Sequence, residues 1–290
     1  MRMATFSVVL IAASLILAAL EATLFEPRWI LAVSVAAAVY GLLSPVVAAR
    51  RLFFLASASP HAALFAVAVS ILLSRATSVG TPYIWALLLG LAMMYGVGYA
   101  IHRGLDTDVA TSLLVAATAT GSVLAIYHIL TRYPLEVDIW AYIIGDPLLV
   151  TWGELVPIAI VGLLAVLAII LTYREQLCLG IDPESVKISG INTALYDWVL
   201  YTALAIATIG MLRIVGFVLE HVLILLPVAV ASNVTDSSTE AAAMSVGIAL
   251  AASMTGIAIS ILLNASPSGT IGLLLLIIYL LSLAIKRRIG

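Results

Sequence analysis

The sequence is short of almost everything a soluble protein displays. Only 10% of its 290 residues are charged, against about 25% in soluble domains. No polar stretch is long enough to fold apart from the rest, so residues 1–290 are expected to form one domain embedded in a bilayer. One cysteine, Cys178, excludes an intramolecular disulfide and any multi-thiolate metal site within one chain. The two lysines, Lys187 and Lys286, follow Val186 and Ile285. Neither therefore completes the Gly-Lys-Ser/Thr loop that cradles nucleotide phosphates. A His-Glu-x-x-His zinc-protease motif is missing too, since Glu220-His221 has the wrong order. The net charge of −2 is uninformative, and nothing in the chain suggests nucleic-acid binding. Neither a nucleotide-hydrolysing nor a zinc-protease reading finds its motif in the chain.

What the chain does have is hydrocarbon: 64% of its residues are apolar and mean hydropathy is +1.22. Crossing about 30 Å of hydrocarbon takes about 20 apolar residues in a helix. By that measure spans are expected near 5–24, 28–49, 52–73, 81–101, 109–130, 154–173, 194–212, 216–232, 238–263 and 270–286. The first is read as a retained span, because Ala19-Leu20-Glu21 runs on into Phe25 with no cleavage-like region. With the N-terminus inside, nine of the thirteen basic residues fall on the inner side: Arg2, Arg50, Arg51, Arg103, Arg174, Lys187, Lys286, Arg287 and Arg288. Arg28, Arg75, Arg132 and Arg213 fall outside. That bias places both termini in the cytoplasm of a multi-pass cell-membrane protein. The 216–232 run is short and contains Pro227, so it reads as either a full span or a broken helix facing protein or water. Leu135–Val150, with Asp138, Trp140 and Tyr142, is expected to lie on the outer surface and to stop at Gly145-Asp146-Pro147. Alanine-rich stretches at 36–38, 116–119, 241–243 and 250–252 favour close helix packing.

Arg174–Asn192 breaks this pattern with charge, glycine and proline. Asp182-Pro183-Glu184 is a helix start: a capping carboxylate, proline at the first position and an acid in the first turn. Gly190 is the matching stop. A short helix over 183–189 is therefore expected at the cytoplasmic end of the bundle. It is either an ordinary capped loop helix or a docking element fixed at both ends.

The stretch IDPESVKISGIN (181–192), followed by a long apolar helix and by RIVGFVLEHVLILLPVAVA (213–231), resembles the permease subunits of ATP-binding-cassette importers for zinc, manganese and iron. Other motifs follow in the family's order. Arg50-Arg51 ends a span, and Pro60-His61-Ala62-Ala63-Leu64 resembles Ser-His-Ala-Val-Leu. Asp108 precedes a small-residue span, Tyr142–Gly145 resembles Leu-Phe-Gly, and Ser266-Pro267-Ser268-Gly269-Thr270-Ile271 resembles Pro-Gly-Ala-Thr-Ile. The likeness covers roughly 28–288. It implies an all-α polytopic membrane protein of the type II importer kind, with about ten transmembrane helices and a short cytoplasmic coupling helix over about 182–190. Asp182, Pro183, Glu184, Ser185, Lys187 and Gly190 would seat that helix in an ATPase. The resemblance further implies two permease copies (a homodimer), two cytoplasmic ATPase subunits that bind the ATP, and an extracytoplasmic metal-binding protein. No cofactor would be resident; the divalent zinc, manganese or iron ion is cargo.

Ionisable side chains cost about 2.5–3.5 kcal/mol at the centre of an inserted helix, so those present tend to face a bundle interior or a pathway. His61, near mid-depth of the third span, is either a hydrogen-bonded interhelical histidine or a metal ligand. Members of the resembling family carry an aspartate a few positions earlier, where this chain reads Ala56-Ser57-Ala58-Ser59. Glu220-His221 stands where they have small or apolar residues. Glu220 is therefore expected to supply the missing carboxylate opposite His61, with His221 the third candidate metal residue. Neighbours on a helix diverge by about 100°, so Glu220 and His221 cannot both point straight into one narrow site. The other reading puts them at the outer mouth. His102 and His128 sit at span ends, and Asp138, Asp146 and Glu154 on the outer face are either solvated loop charges or groups that attract cations or dock the binding protein. Two other transport readings stay open at this point: a vitamin- or siderophore-type importer with a wider pore, and an ion-coupled secondary carrier.

Overall fold

The computed structural model describes residues 2–133 and 140–289. Among them, nine helices are long and apolar enough to cross a membrane. They are α1 (Arg2–Leu24), α2 (Pro27–Ala49), α3 (Phe53–Thr77), α4 (Pro82–His102), α5 (Thr107–Arg132), α7 (Trp152–Ile181), α9 (Thr193–Val234), α10 (Ser238–Leu263) and α11 (Pro267–Ile289). Two short helices, α6 (Trp140–Ile144) and α8 (Pro183–Ile188), lie between them. The protein is thus an all-α polytopic membrane protein.

The seventh and eighth expected spans run together as α9, but Gly216 inside it has φ +72° and ψ 164°, which is no helical conformation. Contacts with α2 give the direction of each arm. Along the first arm (193–215), Asp197 meets Arg50 at the end of α2, and Ala207 meets Tyr40 ten residues earlier, so this arm is antiparallel to α2. Along the second arm (217–234), Glu220 meets Tyr40 and Val228 meets Ser44, so this arm is parallel to α2. The two arms are therefore antiparallel, and Gly216 is a hairpin corner. The helix α11 agrees: Ser268 at its start bonds the Val215 carbonyl, while Ser282 and Lys286 near its end reach Asn233. Among the described residues the nine apolar helices thus supply ten long helical segments. The second arm is about 27 Å long at 1.5 Å per residue, and it continues through Pro227. The Val228 N–H that follows the proline bonds the Ser44 hydroxyl at 3.2 Å, so a helix weakened by proline is satisfied by its neighbour.

Burial sorts the helices. In α2 and α3, 72% of the most apolar window is buried, and in α9 61%, against 11% in α1. The two arms of α9 with α2 and α3 are the interior, and α1 lies on the rim against α10. Small residues permit the contacts: a Cβ on Gly41 of α2 would lie 2.8 Å from the Val246 Cα of α10, and Ala36 and Ala37 are fully buried.

Two expected boundaries change. The helix α7 runs on through Arg174 to Ile181 instead of ending near 173, because Gln176 and Leu179 are buried against neighbouring helices. It stops where Pro183 disfavours helical backbone in Asp182, which is extended at φ −148°. The expected surface helix over 135–150 is reduced to α6 and a 3-10 turn over Pro147–Leu149; 134–139, with Asp138, lie outside the described residues. Gly145 (φ +71°) does end α6, and the 3-10 turn restarts at Pro147. At this end of the bundle three chain breaks are tied together. The backbones of Gly145 and Gly216 are in contact, and the Ser268 hydroxyl lies 3.0 Å from the Gly145 carbonyl and 2.9 Å from that of Val215.

Candidate functional site

At the Arg50 end of the bundle, α8 is held between α7 and α9. The Asp182 carboxylate accepts the Ser185 N–H and hydroxyl, and these bonds hold it below the ordinary carboxylate range. Pro183 takes the first helical position, Glu184 the first turn and Lys187 the last. Gly190, at φ +80°, donates its N–H to the Lys187 carbonyl, and Ser189 donates to that of Ser185. Only Val186 of this helix is buried; Ile181 and Ile188 are 85% and 86% exposed. The element is short and capped at both ends, and it displays charged and apolar side chains together.

Just beneath it lies a polar junction that the sequence reading did not assemble. Arg50 forms an ion pair with Asp197 and donates to the Gln176 side chain at 2.7 Å; Gln176 in turn donates to the Tyr196 carbonyl. His102 stands 3.8 Å from the Asp197 carboxylate, tilted over Trp198. A Cβ on Gly180 would lie 2.1 Å from the Ala49 carbonyl oxygen, so α7 and α2 touch through backbone here. Ends of α2, α4, α7 and α9 are therefore linked directly to the segment that carries α8. The arginine at the end of a span is the one signal that could have pointed to this junction.

The intramembrane histidines meet. His61 on α3 has its ring centre 5.5 Å from that of His221, with the planes at 84°. Phe217 lies edge-on to both, at 4.8 Å from His61 and 4.7 Å from His221. His221 Nδ1 is 2.7 Å from the Phe217 carbonyl oxygen. A carbonyl can only accept, so Nδ1 carries the proton and Nε2 is the nitrogen with a free lone pair. Both histidines are half-buried, and no hydrogen bond to His61 occurs among the described residues. The Gly216 corner sets this arrangement, because it fixes the rotational phase of the arm that starts at Phe217.

Glu220 does not stand opposite His61. It is fully buried, and its Oε1 accepts the hydroxyl proton of Tyr40, itself fully buried, while Oε2 has no partner among the described residues. The 100° between adjacent helical residues sends His221 to His61 and Glu220 to α2. Among the described residues, no three of His, Cys, Asp and Glu gather around one point. The expected carboxylate is thus replaced, next to His61, by a second imidazole. Tyr40 carries no sequence signal beyond being the one tyrosine in an alanine- and valine-rich span.

At the Gly216 end, Glu154 closes a capping box with Thr151 and pairs with Arg213 at 3.2 Å, rather than standing free as a solvated charge. Arg213 also lies over the Tyr142 ring at 5.3 Å. These groups border a mostly apolar cavity of about 460 Å³ among α3, α4, α7 and α9, lined also by Val67, Tyr83 and Ile209. His128 lies exposed on α5.

The sequence profile described as the ABC 3 transport family matches residues 21–286. The manganese transport system membrane protein MntC of Halalkalibacterium halodurans is 27% identical over 198 residues, which are 68% of this chain and 65% of that protein. The high-affinity zinc uptake system membrane protein ZnuB of Buchnera aphidicola subsp. Schizaphis graminum is 25% identical over 259 residues, 89% of this chain and 97% of that one. Among solved structures, a chain of PsaBC from Streptococcus pneumoniae, in complex with Fab, superposes with a TM-score of 0.76 at 21% identity, covering 89% of this chain and 91% of its own. That likeness is one of fold.

Proposed function

Because the chain belongs to the ABC 3 transport family, we propose that it is the membrane permease of an ATP-driven importer for a divalent transition metal. The observation that carries this reading is α8, a capped helix with one buried side chain, joined through Gln176 and Asp197 to Arg50 at the end of α2. A force applied to that helix has a short, polar and hydrogen-bonded path into the interior helices. Relatives named for manganese and zinc transport support the choice of cargo.

In this reading residues 1–290 form one permease domain in the cell membrane with both termini cytoplasmic. Two copies pair, two cytoplasmic ATPase subunits bind the ATP, and an extracytoplasmic metal-binding protein delivers the ion. The ATPases take up Asp182, Pro183, Glu184, Ser185, Lys187 and Gly190. Their closure shifts α8, and the bundle opens to one side or the other. The permease performs no covalent chemistry. His61 and His221 stand on the ion's route, and Glu220 supports that route from behind through Tyr40. A metal passing such a site must bind well enough to enter and weakly enough to leave.

The test is reconstitution in vesicles of the permease with its ATPase and binding protein. Zinc, manganese or ferrous iron should stimulate ATP hydrolysis and accumulate inside. Accumulation by the permease alone, or hydrolysis indifferent to all three metals, would overturn the reading.

A further inference from the structure

The pairing of His61 with His221 carries the metal-import reading further, on which this inference rests. A zinc ion held tetrahedrally by two imidazole nitrogens at about 2.1 Å keeps the two ring centres about 5.2 Å apart. Here they are 5.5 Å apart with the planes nearly perpendicular. The Phe217 carbonyl holds the Nδ1 proton of His221, the outer-sphere bond that commonly orients a zinc-binding imidazole and leaves Nε2 to the metal. Phe217 packs edge-on against both rings and limits their rotation. The nearest acid in sequence, Glu220, is turned onto Tyr40 and fully buried. One helical turn before His61 on the same face stands Ser57, with no carboxylate to offer.

We propose that His61 and His221 form a two-imidazole port in the permease that takes zinc in preference to manganese. Imidazole suits zinc, whereas manganese is better served by carboxylate, carbonyl and water oxygens. Two nitrogens per chain leave the remaining positions of a tetrahedron to water or to a second copy. That incomplete shell suits a cargo that must be released, unlike the closed four-ligand shell of a structural zinc. The device differs from a mixed carboxylate and imidazole site in charge as well as in ligand type. The port brings no fixed negative charge of its own, so hard cations gain little there.

The experiment titrates zinc, manganese and cobalt(II) into the purified full-length chain and into its His61→Ala, His221→Ala, His221→Asn and His221→Asp variants. Cobalt(II) is the geometric probe, since its visible spectrum reports nitrogen ligation and tetrahedral geometry. Losing either imidazole should weaken zinc by more than the roughly 10- to 100-fold that losing an outer-sphere partner costs, abolish the cobalt spectrum and leave manganese unmoved. His221→Asn can keep an amide N–H on the Phe217 carbonyl while offering nothing where Nε2 stands, so its failure to bind zinc separates ligation from folding. His221→Asp should narrow the zinc-to-manganese ratio by about tenfold or more. Zinc binding by both His221→Ala and His221→Asn at the native affinity overturns the port. So does a His221→Asp variant with an unchanged ratio. If the assembled complex still imports metal in those cases, the import reading stands and only the port fails. If the complex moves no metal although the port binds zinc, the import reading fails instead.

Discussion

Gly145 and Gly216 meet backbone to backbone, and neither could carry a side chain. A Cβ built on Gly145 would lie 2.2 Å from the Gly216 nitrogen, and one on Gly216 would lie 2.3 Å from the Gly145 nitrogen. Both also sit at positive φ, +71° and +72°, where a Cβ is strained in any surroundings. The contact joins the end of α6 to the corner of α9, so it fixes where the second arm begins and which of its faces meets α3.

Alanine at either glycine should therefore cost more than the 1–3 kcal/mol of backbone strain alone, because the opposing backbone must also move. The expected result for Gly216→Ala is lower thermal stability in detergent and loss of metal-stimulated ATP hydrolysis. Gly104, also at positive φ but with open space around its Cβ position, provides the control. Gly104→Ala should cost about the strain alone. Equal melting temperatures for the two variants would refute the packing argument.

The Arg50–Asp197 pair is about 85% buried on each side, with side-chain exposures of 14% and 15%. Breaking such a pair from one side should cost between the surface limit of about 1 kcal/mol and the buried limit of about 5. Arg50→Ala strands Asp197, whose other ion-pair neighbour among the described residues is His102 at 3.8 Å. In the reconstituted complex Arg50→Ala and Asp197→Ala should each leave ATPase binding intact while uncoupling hydrolysis from transport. The double variant should lose less than the sum of the two, because the partners share one interaction. Strict additivity would show that the pair does not act as a unit.

Tyr40 and Glu220 form a second coupled pair. In Tyr40→Phe the buried carboxyl loses its hydroxyl donor, and an unsatisfied buried polar group costs about 1–3 kcal/mol or more. Stability should fall accordingly, while Tyr40→Phe combined with Glu220→Leu should recover part of the loss. Zinc affinity of the single Tyr40→Phe variant should stay close to native, since His61 and His221 are untouched. A large drop in zinc affinity at unchanged stability would place Glu220 on the ion's path after all.

Asp182 makes a pH prediction. Hydrogen bonds from Ser185 hold its carboxyl below its ordinary 3.8. A carboxyl lowered in the folded state contributes order that is complete above its unfolded value and is lost as pH falls through the folded one. Amide exchange over 183–188, taken relative to the intrinsic rate at each pH, should thus be flat from neutral pH down to about 4 and should accelerate only below that. Asp182→Asn keeps a capping oxygen without a charge, so it should abolish the acid-side change while preserving protection at neutral pH. The same acid-side acceleration in the asparagine variant would exclude Asp182 as its cause.

The linear order of apolar runs marked out the ten helical segments, the capped helix after Asp182 and the stop at Gly190, because helix length, capping and chain breaks depend on residues a few positions apart. The likeness of 181–192 and 213–231 to metal-importer permeases likewise lay in the sequence, and His61 was legible as an intramembrane imidazole. Only the tertiary structure decided that His221 rather than Glu220 meets His61. That choice rests on the helical phase set by the Gly216 corner, and on Tyr40, 180 positions away along the chain, which takes the carboxyl. It decided also that α7 continues to Ile181 and that Arg50, Gln176 and Asp197 converge. Hydropathy measures how apolar a segment is, whereas the direction in which a polar side chain points is settled by the neighbour that can satisfy it, and that neighbour is known only once the helices have packed.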